Sequence, residues 1–262
     1  METLPPLHGL FDSHAHYDDA AFDTDRASLL GEALPAAGVG YVLNAGTDAA
    51  SIQAGRELCA RYPYFYCAAG HHPHTAKDVS PDYLARLRED LKDPKVAAIG
   101  EIGLDYHYEF SDRAAQQKVF REQLELAKET GYPVIIHMRE ATADTLELLR
   151  RFRPQGVVHC FSGSAEVARE ILDLGLYLGF TGLITFQNAK KAREAAAAAP
   201  LDRLLIETDC PYMTPVPFRG KRCDSTLLHL TARVLAQLKG IDPQTLADRT
   251  AENARRLYRI PG

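Results

Sequence analysis

Short apolar runs alternate with amphipathic, helix-like segments along the whole chain. The apolar runs are LHGLFDSH (7–14), GVGYVLNAG (38–46), YFYCAAG (64–70), KVAAIGE (95–101), YPVIIHM (132–138), QGVVHCF (155–161), GLYLGFTG (175–182) and DRLLIET (202–208). Each has the length of a buried strand and is bounded by turn or helix signals. Between them lie segments of helical pattern such as SDRAAQQKVFREQLELAKETG (111–131), SAEVAREILDLG (164–175) and the alanine-rich KKAREAAAAAP (190–200). Ser80, Ser111 and Ser164 are candidate N-caps, and Gly131 and Gly175 follow helical patterns as stop signals.

Eight apolar runs joined by crossover-length segments predict parallel pairing, because parallel neighbours need a long return connection. A closed (β/α)8 TIM barrel of one domain, residues 1–262, accounts for the count; a doubly wound open sheet is the alternative. No linker rich in Pro, Gly and Ser divides the chain. The longest irregular stretch is CPYMTPVPFRGKRCDS (210–225), and long loops often carry function.

Composition narrows the class. At 46% hydrophobic and 25% charged residues the chain has an ordinary globular balance, which argues against disorder. A formal charge of -5 gives no support to a general nucleic-acid coat, though a local basic patch is compatible with it. METLPPLHGLFDS has neither the basic start nor the apolar core of a secretory signal, and the apolar stretch 171–186 is too short to span a bilayer and carries Asp173. Five cysteines without a CxxC pair fit a reducing compartment, so the cytoplasm, with no membrane association, is expected. The oligomeric state stays open, a monomer being one possibility.

The chemistry sits where the apolar runs end. His14 and His16 are two apart on a strand, so both rings leave one face. Glu101 ends the fourth run, His137 the fifth and His159 the sixth, and Asp209 follows the eighth. A carboxylate in such a place is costly to bury without a positive partner, and the C-terminal rim is where barrel enzymes keep their catalytic groups. Singly, each residue reads equally as a core histidine, a salt bridge or a helix cap. Jointly they point to ligands for one or two divalent ions, with Glu101 as a bridge and Asp209 orienting the attacking water. Imidazole and carboxylate donors admit Zn²⁺, Mn²⁺ or Mg²⁺ alike.

Around this centre, His72 and His74 in GHHPH could donate to a phosphate or a leaving oxygen. Arg139, Arg219, Lys221 and Arg222 could clamp a phosphate backbone or simply be solvated loop charges. Tyr106, Tyr108 and Phe161 fit base stacking or rim packing, and Asp105 fits either holding a ligand histidine or touching substrate.

In the order FDSHAHYD, GHHPH, GEIGLDYHY, PVIIHMR, GVVHCFSG, ETDCPYMTPVPFRGKR and ENARRLY, the chain resembles the TatD family of metal-dependent deoxyribonucleases almost end to end. The resemblance implies an amidohydrolase-like barrel with metal residues at His14, His16, Glu101, His137, His159 and Asp209. It implies two divalent ions, Mg²⁺ or Mn²⁺, and catalytic roles for Glu101, Asp209 and His72. It also implies 3′–5′ exonuclease action on single-stranded DNA. Ester hydrolysis on D-aminoacyl-tRNA is the alternative, and a non-catalytic nucleic-acid-binding protein is a second. One departure stands out: many members have Asn-Glu-Pro after Gly-Lys-Arg, where this chain has Cys223, Asp224 and Ser225. A shorter acid and a missing proline are expected to loosen this loop and to alter the fit to substrate.

Overall fold

All eight predicted strands form and hydrogen-bond in chain order, β1 to β8, as one parallel sheet in the computed structural model, which describes residues 5–261. They are β1 Leu10–Ala15, β2 Val39–Ala45, β3 Phe65–Ala68, β4 Val96–Asp105, β5 Val134–Arg139, β6 Gly156–Val158, β7 Tyr177–Phe180 and β8 Leu204–Ile206. Residues 1–4 and 262 of the expected domain, including the start of the stretch tested for a secretory signal, lie outside the described residues. Strand β4 runs four residues beyond its predicted end because Ile102 to Asp105 pair in register with Ile136 to Arg139 of β5. Beyond β8 the chain returns to β1, where Asp209 N–H donates to the His14 carbonyl (2.9 Å) and His16 N–H to that of Cys210 (2.9 Å). The sheet is thereby nearly closed into a TIM-like barrel.

Between β1 and β2 run α1 (Arg26–Ser28), a π-helical turn (Leu29–Ala33) and α2 (Leu34–Ala36). Helix α3 (Ala49–Arg61) links β2 to β3, α4 (Tyr83–Asp90) β3 to β4, α5 (Arg113–Thr130) β4 to β5, and α6 (Thr142–Phe152) β5 to β6. Helix α7 (Ala165–Asp173) links β6 to β7 and α8 (Lys190–Ala198) β7 to β8, while α9 (Leu228–Lys239) and α10 (Pro243–Tyr258) follow β8. Among the described residues, no helix is long and apolar enough to cross a membrane.

Ser164 caps α7 as expected, accepting from Val167 N–H. Ser80 and Ser111 do not cap: α5 is capped by Asp112 and α4 begins after Asp82. Ser111 is buried instead, its hydroxyl donating to the His74 carbonyl (2.9 Å) and accepting from Lys77 N–H (3.0 Å), which pins the GHHPH segment. Gly131 ends α5 in a left-handed conformation.

The strand period of two explains how one barrel holds both a core and a site. Phe11, Ala98, Ile135, Val157 and Leu205 lie in one apolar cluster, joined by Tyr258 of α10. Two residues further along each chain, the same face presents Ser13, Gly100, His137, His159 and Glu207. Register shifts fall between Asp12 and Ala15 on β1 and between Ile99 and Ile102 on β4, where His14 and Glu101 reside. Such irregularities re-aim side chains at barrel rims. Gly103 is required beside them: a Cβ there would stand 2.0 Å from the His137 carbonyl oxygen.

Candidate metal centre

Glu101 lies at the middle of the cluster, 2% exposed, with its two oxygens facing different donors. Its Oε1 is 2.6 Å from His159 Nε2, 2.8 Å from His137 Nδ1 and 3.4 Å from His72 Nε2. Its Oε2 is 3.3 Å from His14 Nε2 and 3.6 Å from His16 Nε2. Asp209 closes this second side, its Oδ1 lying 3.4 Å from His16 Nε2 and 3.7 Å from His14 Nε2. The six metal-ligating candidates thus meet around one carboxylate, and His72 joins them.

The donor chemistry fits divalent ions on both sides. Three overlapping triads, His14–Glu101–His159, His14–His16–Asp209 and His72–Glu101–His137, hold ligand atoms within 4.8 Å of one another. His16 Nδ1 lies 3.1 Å from the Ala45 carbonyl, so Nδ1 keeps a proton, and loss of the second proton would turn an Nε2 lone pair inward. His14 Nε2 and His16 Nε2 converge to 3.1 Å. His14 Nδ1 and His159 Nδ1 are buried with no hydrogen-bond partner among the described residues.

Charge follows from this packing. Burial raises the Glu101 carboxyl, but His159, His72 and His14 outweigh it and hold the acid well below its usual range. Asp209 is likewise lowered, by His16 and His14 against the cost of burial. Burial takes His14 and His72 down to about 4. For His16 and His137 the opposing burial is overcome, by Asp209 and Glu101 in the first and by Asp105 and Glu101 in the second, and both rise to about 9.

Asp105 holds His137 in place. Its Oδ2 accepts from His137 Nε2 (3.1 Å) and His74 Nε2 (2.9 Å), and its Oδ1 accepts from His107 and Tyr108 N–H (2.9 and 3.0 Å). This fixes the His137 tautomer and leaves Nδ1 for the centre. Replacing Asp105 by Ala is expected to weaken metal affinity about 10–100-fold, the usual cost of losing an outer partner of a ligand histidine. Competitive metal titration checks it, and an unchanged affinity would contradict the assignment.

Some predicted residues lie elsewhere. Arg222 is committed to Asp25 through two bonds (2.7 and 2.6 Å) and so anchors its loop. Arg219 lies 3.7 Å over the Phe186 ring and Lys221 near Phe218, both in the 210–225 loop. Phe161 is buried at 2% exposure against Phe180, which removes it from base stacking. The Tyr106 hydroxyl is bonded to Asp144 and Gln117.

At its departure from the family pattern the 210–225 loop is bonded to β1 and, through Asp12, to the end of β8. Ser225 is fully buried; its hydroxyl lies 2.6 Å from Asp12 Oδ2 and 2.7 Å from the Tyr17 hydroxyl, and its N–H donates to Tyr17 (2.8 Å). Asp12 also accepts from Thr208 N–H and hydroxyl (2.9 and 2.6 Å), tying β1, the end of β8 and the loop together. Asp12 and Glu207 are the buried acids that sequence reasoning missed. Burial raises them to about 6 and about 7. Glu207 accepts from Cys160 N–H and Ser13 Oγ, and a Cβ on Gly179 would stand 2.4 Å from its carboxylate. An acid within an apolar strand end was the available signal for both.

Comparison with known proteins gives a family-level match. The family model "TatD related DNase" matches residues 11–259. The chain is 44% identical over 254 residues to the metal-dependent hydrolase YabD of Bacillus subtilis, covering 96% of this chain and 99% of that protein. It is 38% identical over 260 residues to the 3′-5′ ssDNA/RNA exonuclease TatD of Cronobacter sakazakii, covering 95% and 97%. The crystal structure of YJJV, a TatD homolog from Escherichia coli K12, superposes with a TM-score of 0.89 at 33% identity over 96% of this chain and 98% of that one.

Proposed function

The chain belongs to the TatD-related DNase family of metal-dependent hydrolases, and from that premise we propose that it is a two-metal 3′–5′ exodeoxyribonuclease acting on single strands in the cytoplasm. In this reading the fold is a complete (β/α)8 barrel. The observation that carries the proposal is Glu101, whose two oxygens face opposite sets of donors. One carboxylate between two such sets suits a pair of ions flanking a phosphodiester.

His14, His16 and Asp209 would hold one ion, and His137 and His159 the other, with Glu101 between them. When bound, such ions lower the pKa of water, polarise the phosphoryl group and offset charge on the attacking and leaving oxygens. The chain's own groups supply direction. Asp209, kept ionised, accepts a hydrogen bond from the attacking water and orients it. His72 Nδ1 lies 3.2 Å from His74 N–H and accepts from it, which places the ring proton on Nε2, facing the centre. That N–H donates to the oxygen leaving phosphorus. Asp105 keeps His137 from rotating. Arg139, Arg219 and Lys221 lie on segments at the rim and would meet further backbone phosphates, with Mg²⁺ or Mn²⁺ as the working ion.

The test is turnover of matched 5′- and 3′-labelled single-stranded DNA in Mg²⁺, Mn²⁺ and chelator. The proposal predicts immediate release of label from the 3′-labelled strand and stepwise shortening of the 5′-labelled one, both abolished by chelator. Intact DNA under every condition with metal-loaded protein would overturn it. Release of amino acid from D-aminoacyl-tRNA with the RNA left whole would then identify an ester hydrolase.

A further inference from the structure

Beside the ligand cluster, side chains form a layered stack that ends in solvent. Arg139, at the end of β5, sets its guanidinium 4.6 Å from the Tyr108 ring centroid. Tyr108 stacks on Phe110, with centroids 5.2 Å apart and planes within 2° of parallel. His74 meets both rings edge-on, at 5.7 Å and 4.8 Å, and is itself bonded to the Asp105 that holds His137. The stack therefore adjoins the centre through two side chains.

Its outer layers are open. Tyr108 is 48% exposed and Phe110 56% exposed. The two rings form one contiguous exposed surface beside the centre rather than scattered single residues. The surrounding acids are each engaged: Glu109 with Arg113 (2.6 Å), Glu140 with His107 (2.7 Å), and Asp105 with His74 and His137. Arg139 makes no ion pair among the described residues. A flat π surface beside an uncompensated cation suits a ligand that is a planar ring attached to an anion.

We propose that Phe110 and Tyr108 form the docking platform for the nucleobase next to the scissile phosphate of single-stranded DNA, with Arg139 facing the neighbouring phosphate. This rests on the nuclease reading above and adds its source of strand selectivity. A single strand can bring an unstacked base to Phe110 and its phosphate to Arg139 together, whereas a duplex must first be unpaired at its end, at a cost in free energy. A guanidinium lying on one ring can still direct its N–H edge to phosphate oxygens. Phe110 supplies the next open layer because only one of its faces is covered by Tyr108.

The experiment uses the full chain with Mg²⁺ and an oligonucleotide ending in 3′-terminal 2-aminopurine, whose fluorescence falls on stacking. Quenching is read by stopped flow on mixing, and cleavage is followed in the same solutions. Phe110→Leu keeps an apolar side chain and removes the π face; Phe110→Trp restores one. The wild type and Phe110→Trp should quench and Phe110→Leu should not, with KM for single strands rising about tenfold and kcat nearly unchanged. On an oligonucleotide whose terminal base is replaced by an abasic sugar, wild type and Phe110→Leu should become equal. Quenching and KM unchanged in Phe110→Leu would overturn the platform while leaving the nuclease intact. Quenching lost in Phe110→Leu without cleavage by any variant would keep the platform and refute the nuclease. Neither quenching nor cleavage by the wild type would refute both.

Discussion

Replacing Glu101 by Gln is expected to lower kcat on single-stranded DNA by about a thousandfold, roughly 4 kcal/mol at the transition state. Glutamine keeps the size of the side chain and turns one oxygen into an NH₂ group. That group donates and cannot ligate, so one of the two donor sets loses its shared oxygen. The set containing His137, His159 and Oε1 and the set containing His14, His16 and Oε2 cannot both be completed. Steady-state kinetics with metal held in excess checks the effect. A loss confined to KM would mean that Glu101 only helps to hold substrate.

Metal loading should produce the largest change in stability, and its pH dependence has a definite sign. An ion that binds only the folded chain contributes roughly 4 kcal/mol at a thousandfold excess over its Kd. For a domain of this size each kcal/mol moves Tm by about 2–4 °C, so loading should raise Tm on the order of 10 °C. In chelator, His16 and His137 hold protons, with folded pKa raised to about 9 from 6.5. Their contribution is full below pH 6.5 and is lost as pH climbs toward 9. Glu101 and Asp209, both depressed, contribute above their unfolded values of 4.5 and 3.8 and lose that contribution as pH falls through their folded values. The chelated protein should therefore weaken between pH 6.5 and 9, while metal affinity rises over the same window as ions displace those protons. The Tm gap between loaded and chelated protein should widen from pH 6.5 to 9. Calorimetric titration in two buffers of different ionisation enthalpy at pH 7 should register net proton release. A gap that narrows with pH, or no proton release, would contradict the cluster's assignment.

The barrel was legible because its signal is repetitive: eight apolar runs with crossover segments admit few topologies, and every run became a strand. The clustered residues were legible because His14, Glu101, His137, His159 and Asp209 interrupt or follow apolar runs where burial demands a partner. What escaped was what depends on cross-chain contact. Ser225 could not be read as the partner of Asp12, 213 positions away. Arg222 gave no sign of its bond to Asp25, nor Phe161 of its burial against Phe180. The caps at Ser80 and Ser111 failed for local reasons: Asp112 takes the amide donor at the start of α5 while Ser111 serves the GHHPH segment, and α4 begins after Asp82, which makes no side-chain cap bond. Phe110 was passed over because a lone aromatic in a loop carries no period, and its value arises only from stacking on Tyr108.

Glu101 is expected to join two ions, and anomalous scattering from Mn²⁺-loaded crystals measured at the manganese edge would show where they bind. Two peaks are expected, one among His14, His16, Asp209 and Glu101 Oε2, the other among His137, His159 and Glu101 Oε1. Peaks that leave Glu101 untouched, or none at saturating Mn²⁺, would contradict it.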